Sequence, residues 1–521
     1  MSWPARPSQR GGSSPGPEPR LRTGPRRWAG AVARSALAPV LAPALALALA
    51  LALTLLQTPA WAGTAGTAGA AGTAGTAGAA GTAGTAGAAR AADAARAAGA
   101  SAAIAAAAKP RLLDFSVDER QRIASHGPWP PAPTRDAGNA MAGRPAAIAL
   151  GQRLFFETRL SGDGRFACAS CHQPDRAFTD GLPRAIGRGQ GGDGGTVAAL
   201  DRNTPTLWDA DQQRWLGWDG AFDSLWSQAL HPLLSPREMA ATPAQLRQWL
   251  GQLLGQPLRL PLRQHLRNDG ELACRWRALY GGAALGHSQA RSDAEAIPDD
   301  DNALSLALAK PLAAFVGTLR SGRSAFDRFR DALLRGDARA AARYPLAAQR
   351  GLRLFIGRGQ CSTCHSGPLF SHGEFGDIGA PFFVRPGVVD PGRHGGIQAL
   401  QASRFNLLGL HSDYPDAAVA GKTRHVLLQH RNFGEFKVPS LRNLVHTAPY
   451  LHDGQLGTLA AVVDHYSTLS PDRLHADGEL ILKPLHLSES ERGDLLAFLR
   501  SLSAPQAGRW QAPTLPPCPS L

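Results

Sequence analysis

Methionine is nearly absent from this chain. Its 521 residues hold three, Met1, Met141 and Met239, so few thioether sulfurs are on hand to ligate a metal. Acidic residues are almost missing from the N-terminus. Glu18 is the single acid in residues 1–36, against Arg6, Arg10, Arg20, Arg22, Arg26, Arg27 and Arg34. Large apolar side chains are missing from residues 63–89, where Gly-Thr-Ala-Gly-Thr-Ala-Gly-Ala-Ala repeats three times. A segment with nothing large to bury forms no core, so residues 63–109 read as a low-complexity, disordered linker. Also missing is a basic helix with interleaved aromatics or any recognised nucleic-acid motif, which excludes nucleic acid as a partner.

What the N-terminus does hold is a pattern. The basic stretch is followed by an apolar run from Leu37 to Leu56 and then by Ala60-Trp61-Ala62. That is the order of a signal peptide, residues 1–62, with cleavage expected after Ala62 and a periplasmic destination. The long basic region leaves two alternatives, an uncleaved membrane anchor or a start codon placed too early. Seven arginines against one acid put +6 of the formal +14 there, leaving about +8 on the rest. With 44% hydrophobic residues the chain suffices for two globular domains.

Four of the six cysteines fall in two pentapeptides, Cys168-Ala-Ser-Cys171-His172 and Cys361-Ser-Thr-Cys364-His365. Each is the C-x-x-C-H pattern of c-type haem attachment. Two thiols add across the porphyrin vinyl groups, and the adjacent histidine ligates the iron. A four-cysteine zinc site is the rival reading, but zinc has no need of a histidine after both pairs. Two covalently bound haems are therefore expected. Cys274 and Cys518 remain, and either pair or stay as separate thiols.

The rest of the chain looks duplicated. Ala149-Leu-Gly-Gln-Arg-Leu-Phe-Phe156 precedes the first motif and Gln349-Arg-Gly-Leu-Arg-Leu-Phe-Ile356 the second, and both read as one-sided helices. A third helix, Leu487 to Leu502, opens on the capping box Ser488-x-x-Glu491. Stretches such as 188–195 and 373–396 read as cofactor-wrapping loops, not strands. The fold class is all-α, with cytochrome c-like domains at 110–330 and 331–510 and a tail at 511–521.

Further pieces carry a resemblance. They are Arg202-Asn203-Thr204-Pro205-Thr206, Trp218-Asp219-Gly220, Lys437-Val-Pro-Ser-Leu-Arg-Asn443 and Thr447-Ala-Pro-Tyr-Leu-His452-Asp-Gly454. With the two motifs in this order, residues 147–502 resemble the bacterial dihaem cytochrome c peroxidases, which include the MauG-like protein-modifying enzymes. The resemblance implies roles for named residues. Trp218 connects the two haems electronically. Gln228 and Glu238 line the pocket where hydrogen peroxide binds, the carboxylate moving a proton between its oxygens. Asn203, with the carbonyls of Thr447 and Pro449, holds a calcium ion, a hard cation suited to oxygen donors.

Two departures from the conventional peroxidases matter most. Their first haem carries a second, displaceable histidine sixteen residues after the motif histidine; here that position is Arg188, which cannot ligate iron. His172 should then be the sole protein ligand of a five-coordinate iron. Their second haem carries a methionine fourteen residues after the histidine matched by His452; here that is Tyr466, as in the MauG-like branch, with His465 the competing ligand. The MauG-like member that matures methylamine dehydrogenase has a surface tryptophan two residues before its second motif, where this chain has Gly359.

The expected function is a periplasmic, MauG-like dihaem peroxidase that activates hydrogen peroxide and oxidises a partner protein side chain. The alternatives are a conventional peroxidase drawing electrons from a small redox protein, and a non-enzymatic dihaem electron carrier. A membrane enters only if the signal stays uncleaved.

Overall fold

The computed structural model describes residues 111–518 apart from 133, 135, 137, 189–196, 255–269, 282–296, 381–382, 415–416, 471–480 and 516. The expected signal segment 1–62 and the expected linker 63–109 lie outside the described residues.

Eleven principal helices are described, and ten of them build two hydrophobic cores. In chain order they are α1 Val117–Ser125, α2 Pro145–Phe155, α3 Leu225–Leu234, α4 Pro243–Leu253, α5 Gly270–Tyr280, α6 Asp301–Val316, α7 Ala325–Leu334, α8 Leu346–Ile356, α9 Arg393–Ala402, α10 Leu459–Ser467 and α11 Glu489–Arg500. The first core is made by α2 to α6, the second by α1, α7, α8, α10 and α11.

The duplicated helices take equivalent places. α2 starts on Pro145, which sacrifices no hydrogen bond at a first helical position, and buries Leu150, Leu154 and Phe155 against α6. α8 buries Leu352, Phe355 and Ile356 against α11. α11 begins at the expected box, with Ser488 accepting from Glu491 N and the Glu491 carboxylate accepting from Ser488 N.

A glycine sits at each crossing. A Cβ on Gly151 would lie 1.9 Å from the Pro311 carbonyl oxygen, and one on Gly351 would lie 2.0 Å from that of Asp494. Neither helix tolerates a side chain there, because the partner backbone occupies the space.

The fold is mostly helical with little sheet. Among the described residues three antiparallel pairs of two or three residues each join Ile186–Arg188 to Val197–Ala199, Phe375–Gly376 to Phe436–Lys437, and Phe383–Arg385 to Val388–Val389. The expectation of pure loop over 373–396 is corrected by these strands and by the start of α9. The hairpin turns at Pro386-Gly387, where Gly387 has φ +74, a left-handed conformation that Pro-Gly favours. Pairing of Phe375–Gly376 with residues sixty positions on is a tertiary event, without local periodicity to announce it.

The C-terminal segment returns to the first core. Ala504 and Ala507 are buried in it, and Trp510 packs against Phe156, Phe178 and Phe315. Cys518 forms a disulfide with Cys274 on α5, their Cα atoms 6.3 Å apart. The open question over these two thiols is thus answered by pairing.

Candidate active site

Each motif histidine follows its cysteines on a single tight turn, with its backbone N–H donating to the first cysteine's carbonyl, 2.9 Å in both cases. Its ring is then fixed from the other side. His172 Nδ1 lies 3.0 Å from the Phe178 carbonyl oxygen, and His365 Nδ1 lies 2.9 Å from that of Phe370. Phe178 and Phe370 are fully buried and hold left-handed backbone, φ 58 and 53. That strain is tolerated because packing fixes each phenyl ring, and it aims the carbonyl at the imidazole. Burial lowers the pKa of both histidines, His365 to about 4. Both rings are therefore neutral, Nδ1–H is committed to a carbonyl, and Nε2 keeps its lone pair for a metal.

None of the four motif cysteines is in a disulfide. Burial pushes Cys168, Cys171 and Cys361 up to about 12, with the charges of Asp180 and Glu238 adding to it at Cys171. Thiols held neutral, beside a histidine that keeps its Nε2 lone pair, suit thioether attachment to haem. The two pairs belong to different cores, and among the described residues no three His, Cys, Asp or Glu side chains gather to hold a metal ion. The four-cysteine zinc arrangement is not assembled.

Around the first motif, Arg188 is turned to Asp163, its Nε 3.3 Å from the carboxylate. Gln228 on α3 has a buried Oε1 with no hydrogen-bond partner in the structure. An orphaned acceptor of that kind is able to take a hydrogen bond from a bound ligand. After α3 the chain folds back, with Met239 N donating to Pro232 O at 3.0 Å, and returns Glu238 to within 3.3 Å of His231 Nε2. The Glu238 charge also bears on His172 and Cys171, so the carboxylate lies on the side of the first motif.

Around the second motif, Tyr466 on α10 is half-buried. Burial first, and then the nearby Cys361 and Cys364, push its phenol well above the usual range. His465 has its Nε2 on the Ile378 carbonyl at 2.9 Å, so the competing ligand is already engaged.

Trp218 stands between the halves. Its Nε1 donates to the Asn203 carbonyl at 2.9 Å, while its own carbonyl accepts from Lys437 N at 2.8 Å. Asn203 N donates to the His452 carbonyl at 2.7 Å, joining Asn203 to the segment that carries Thr447 and Pro449 a few residues earlier. The Asn203 Nδ2 donates to Leu182 O at 2.8 Å, which leaves Oδ1 as the side chain's oxygen donor. Sequence reasoning missed Phe178, Phe370 and His231. Only a buried aromatic five or six residues after each motif histidine hints at the first two.

Comparison with known proteins agrees with this geometry. Residues 145–338 match the family model described as di-haem cytochrome c peroxidase. The methylamine utilization protein MauG of Methylorubrum extorquens is 33% identical over 375 residues, covering 72% of this chain and 82% of that protein. The chain belongs to the di-haem cytochrome c peroxidase family. Within that family it is also similar to cytochrome-c peroxidase IdrP2 of Denitromonas iodatirespirans, 30% identical over 72% of this chain and 86% of the relative. A crystal structure of a MauG-like protein associated with microbial copper homeostasis shares the fold, with a TM-score of 0.50, 25% identity, and coverage of 73% of this chain and 97% of the other. The protein is therefore an oxidoreductase of a family with two haem cofactors. Among the described residues no helix is long and apolar enough to cross a membrane.

Proposed function

We propose that this protein is a MauG-like di-haem peroxidase that activates hydrogen peroxide in its resting oxidised state and delivers the oxidising equivalents to a partner protein. The observation that carries the reading is Arg188 held by Asp163, where conventional peroxidases have a displaceable histidine. His172 with Cys168 and Cys171 would hold the first haem, and His365, Tyr466, Cys361 and Cys364 the second. When bound, haem supplies iron centres for peroxide binding and electron transfer.

The chain's own groups do the rest. Glu238 takes the proton from the nearer peroxide oxygen and returns it to the farther one, so that water leaves. Gln228 hydrogen-bonds the bound peroxide, which accounts for its orphaned Oε1. Trp218, tied to both halves through its indole and its carbonyl, carries electrons between them. The half-buried Tyr466 phenol offers a hard oxygen donor beside the second motif, suited to oxidised iron. Asn203 Oδ1 with the Thr447 and Pro449 carbonyls would bind calcium next to Trp218. The basic and apolar N-terminal segment would direct export to the periplasm.

Electron paramagnetic resonance of the untreated oxidised protein tests the reading. One high-spin ferric signal beside one low-spin signal is expected, with peroxide consumed before any reductant is added. Two low-spin signals would mean that another side chain fills the first site.

A further inference from the structure

His231 lies on α3 three residues after Gln228, so both side chains share one region of the helix surface. Its Nε2 is 3.3 Å from Glu238 Oε1, and the two side chains are 52% and 28% exposed. The pair thus runs inward from solvent. The ring is steadied by Phe222, whose centroid is 5.1 Å away. Burial alone would lower its pKa, but the Glu238 hydrogen bond and charge, helped by Asp219, outweigh burial and the opposing Arg202, and raise it above the ordinary 6.5. At neutral pH the imidazole holds its proton more firmly than a free one.

We infer that His231 is a positioning residue that feeds protons from solvent to Glu238. The inference rests on Glu238 as the acid–base group. Reduction of one hydrogen peroxide to two waters takes two electrons and two protons. The electrons come from a one-electron donor or from a side chain that is itself oxidised in giving them up. The protons must cross into the pocket. A carboxylate that only moves a proton between the two peroxide oxygens has none to give to the oxygen that stays behind. Each proton that Glu238 gives to that oxygen is replaced by the Nε2–H of His231, and the exposed ring takes the next one from water. Glutamine in place of His231 keeps a hydrogen bond to Glu238 and loses the transferable charge.

Two measurements on the haem-loaded, full-length protein test this. Histidine C2 hydrogen–deuterium exchange followed by mass spectrometry reads the His231 titration directly. Its midpoint should lie above that of an ordinary histidine and fall in Glu238→Gln; an unmoved midpoint overturns the pairing. Peroxide reduction with a one-electron donor should slow about tenfold in His231→Gln, below the 10²–10⁴ of a group acting on substrate. The parent rate should decline as pH rises through the raised midpoint, because the relay then has no proton to give, and His231→Gln should lose that limb. Parental rate and profile in His231→Gln, beside a slow Glu238→Gln, overturn the relay alone. A Glu238→Gln protein at the parent rate overturns the acid–base reading and the relay with it.

Discussion

The two halves of this molecule hold their motif histidines in the same way and then diverge over the opposite side. In both, a glycine lets a second helix cross tightly before the motif, and a left-handed, buried phenylalanine turns its carbonyl onto Nδ1. Around the first motif stand titratable or neutral polar groups, Gln228, Glu238 and His231, with Arg188 drawn aside to Asp163. Around the second stands the half-buried phenol of Tyr466. In the proposed reading the common part would hold an iron, and the part that differs would decide whether substrate reaches it. An orphaned acceptor and a solvent-connected acid suit a reacting ligand. A phenol oxygen donor suits a filled site.

The second half also carries the more deeply buried charge, and removing it should have the largest effect on folding. Arg442 makes a bidentate pair with Asp327 at 2.9 and 3.0 Å, both side chains 2% exposed, and donates to the Pro368 carbonyl while its guanidinium lies 3.6 Å from the Trp129 ring centroid. Arg442→Met strands the Asp327 carboxylate and should cost about 3–5 kcal/mol, read as a lower denaturation midpoint. A loss below about 1 kcal/mol would show that Asp327 is rescued by its bonds to Ser324.

The glycine crossings test whether the duplication extends to energetics. Gly151→Ala and Gly351→Ala should each destabilise by about 1–3 kcal/mol, since each new methyl meets a carbonyl oxygen of the crossing helix. Similar losses in thermal unfolding would mark the two crossings as equivalent; a silent variant at one site would break the parallel.

Tyr466→Met should leave stability nearly unchanged, because the swap conserves most of the buried volume. It should raise the potential of the second centre, since thioether sulfur favours reduced iron more than phenol oxygen does. Potentiometric titration checks this, and an unchanged potential would point away from Tyr466 as the ligand.

Some of this was legible one residue at a time. The motifs, the one-sided helices before them, the capping box at Ser488 and the missing histidine at position 188 are local patterns, whose meaning depends on covalent chemistry or on a 3.6-residue period. So the chain alone determined that it is mostly helical, that it carries two cysteine-histidine motifs, and that position 188 offers no second histidine. Other features belong to the folded state, because packing and chain reversal, not local pattern, bring the groups together. The Phe178 and Phe370 carbonyls reach their histidines only because packing holds a costly left-handed backbone. Cys274 meets Cys518 only because the tail folds back across 244 residues. His231 meets Glu238 only because the chain reverses after Pro232. Residue type sets what each group can do, and the closure of the chain sets which groups do it together.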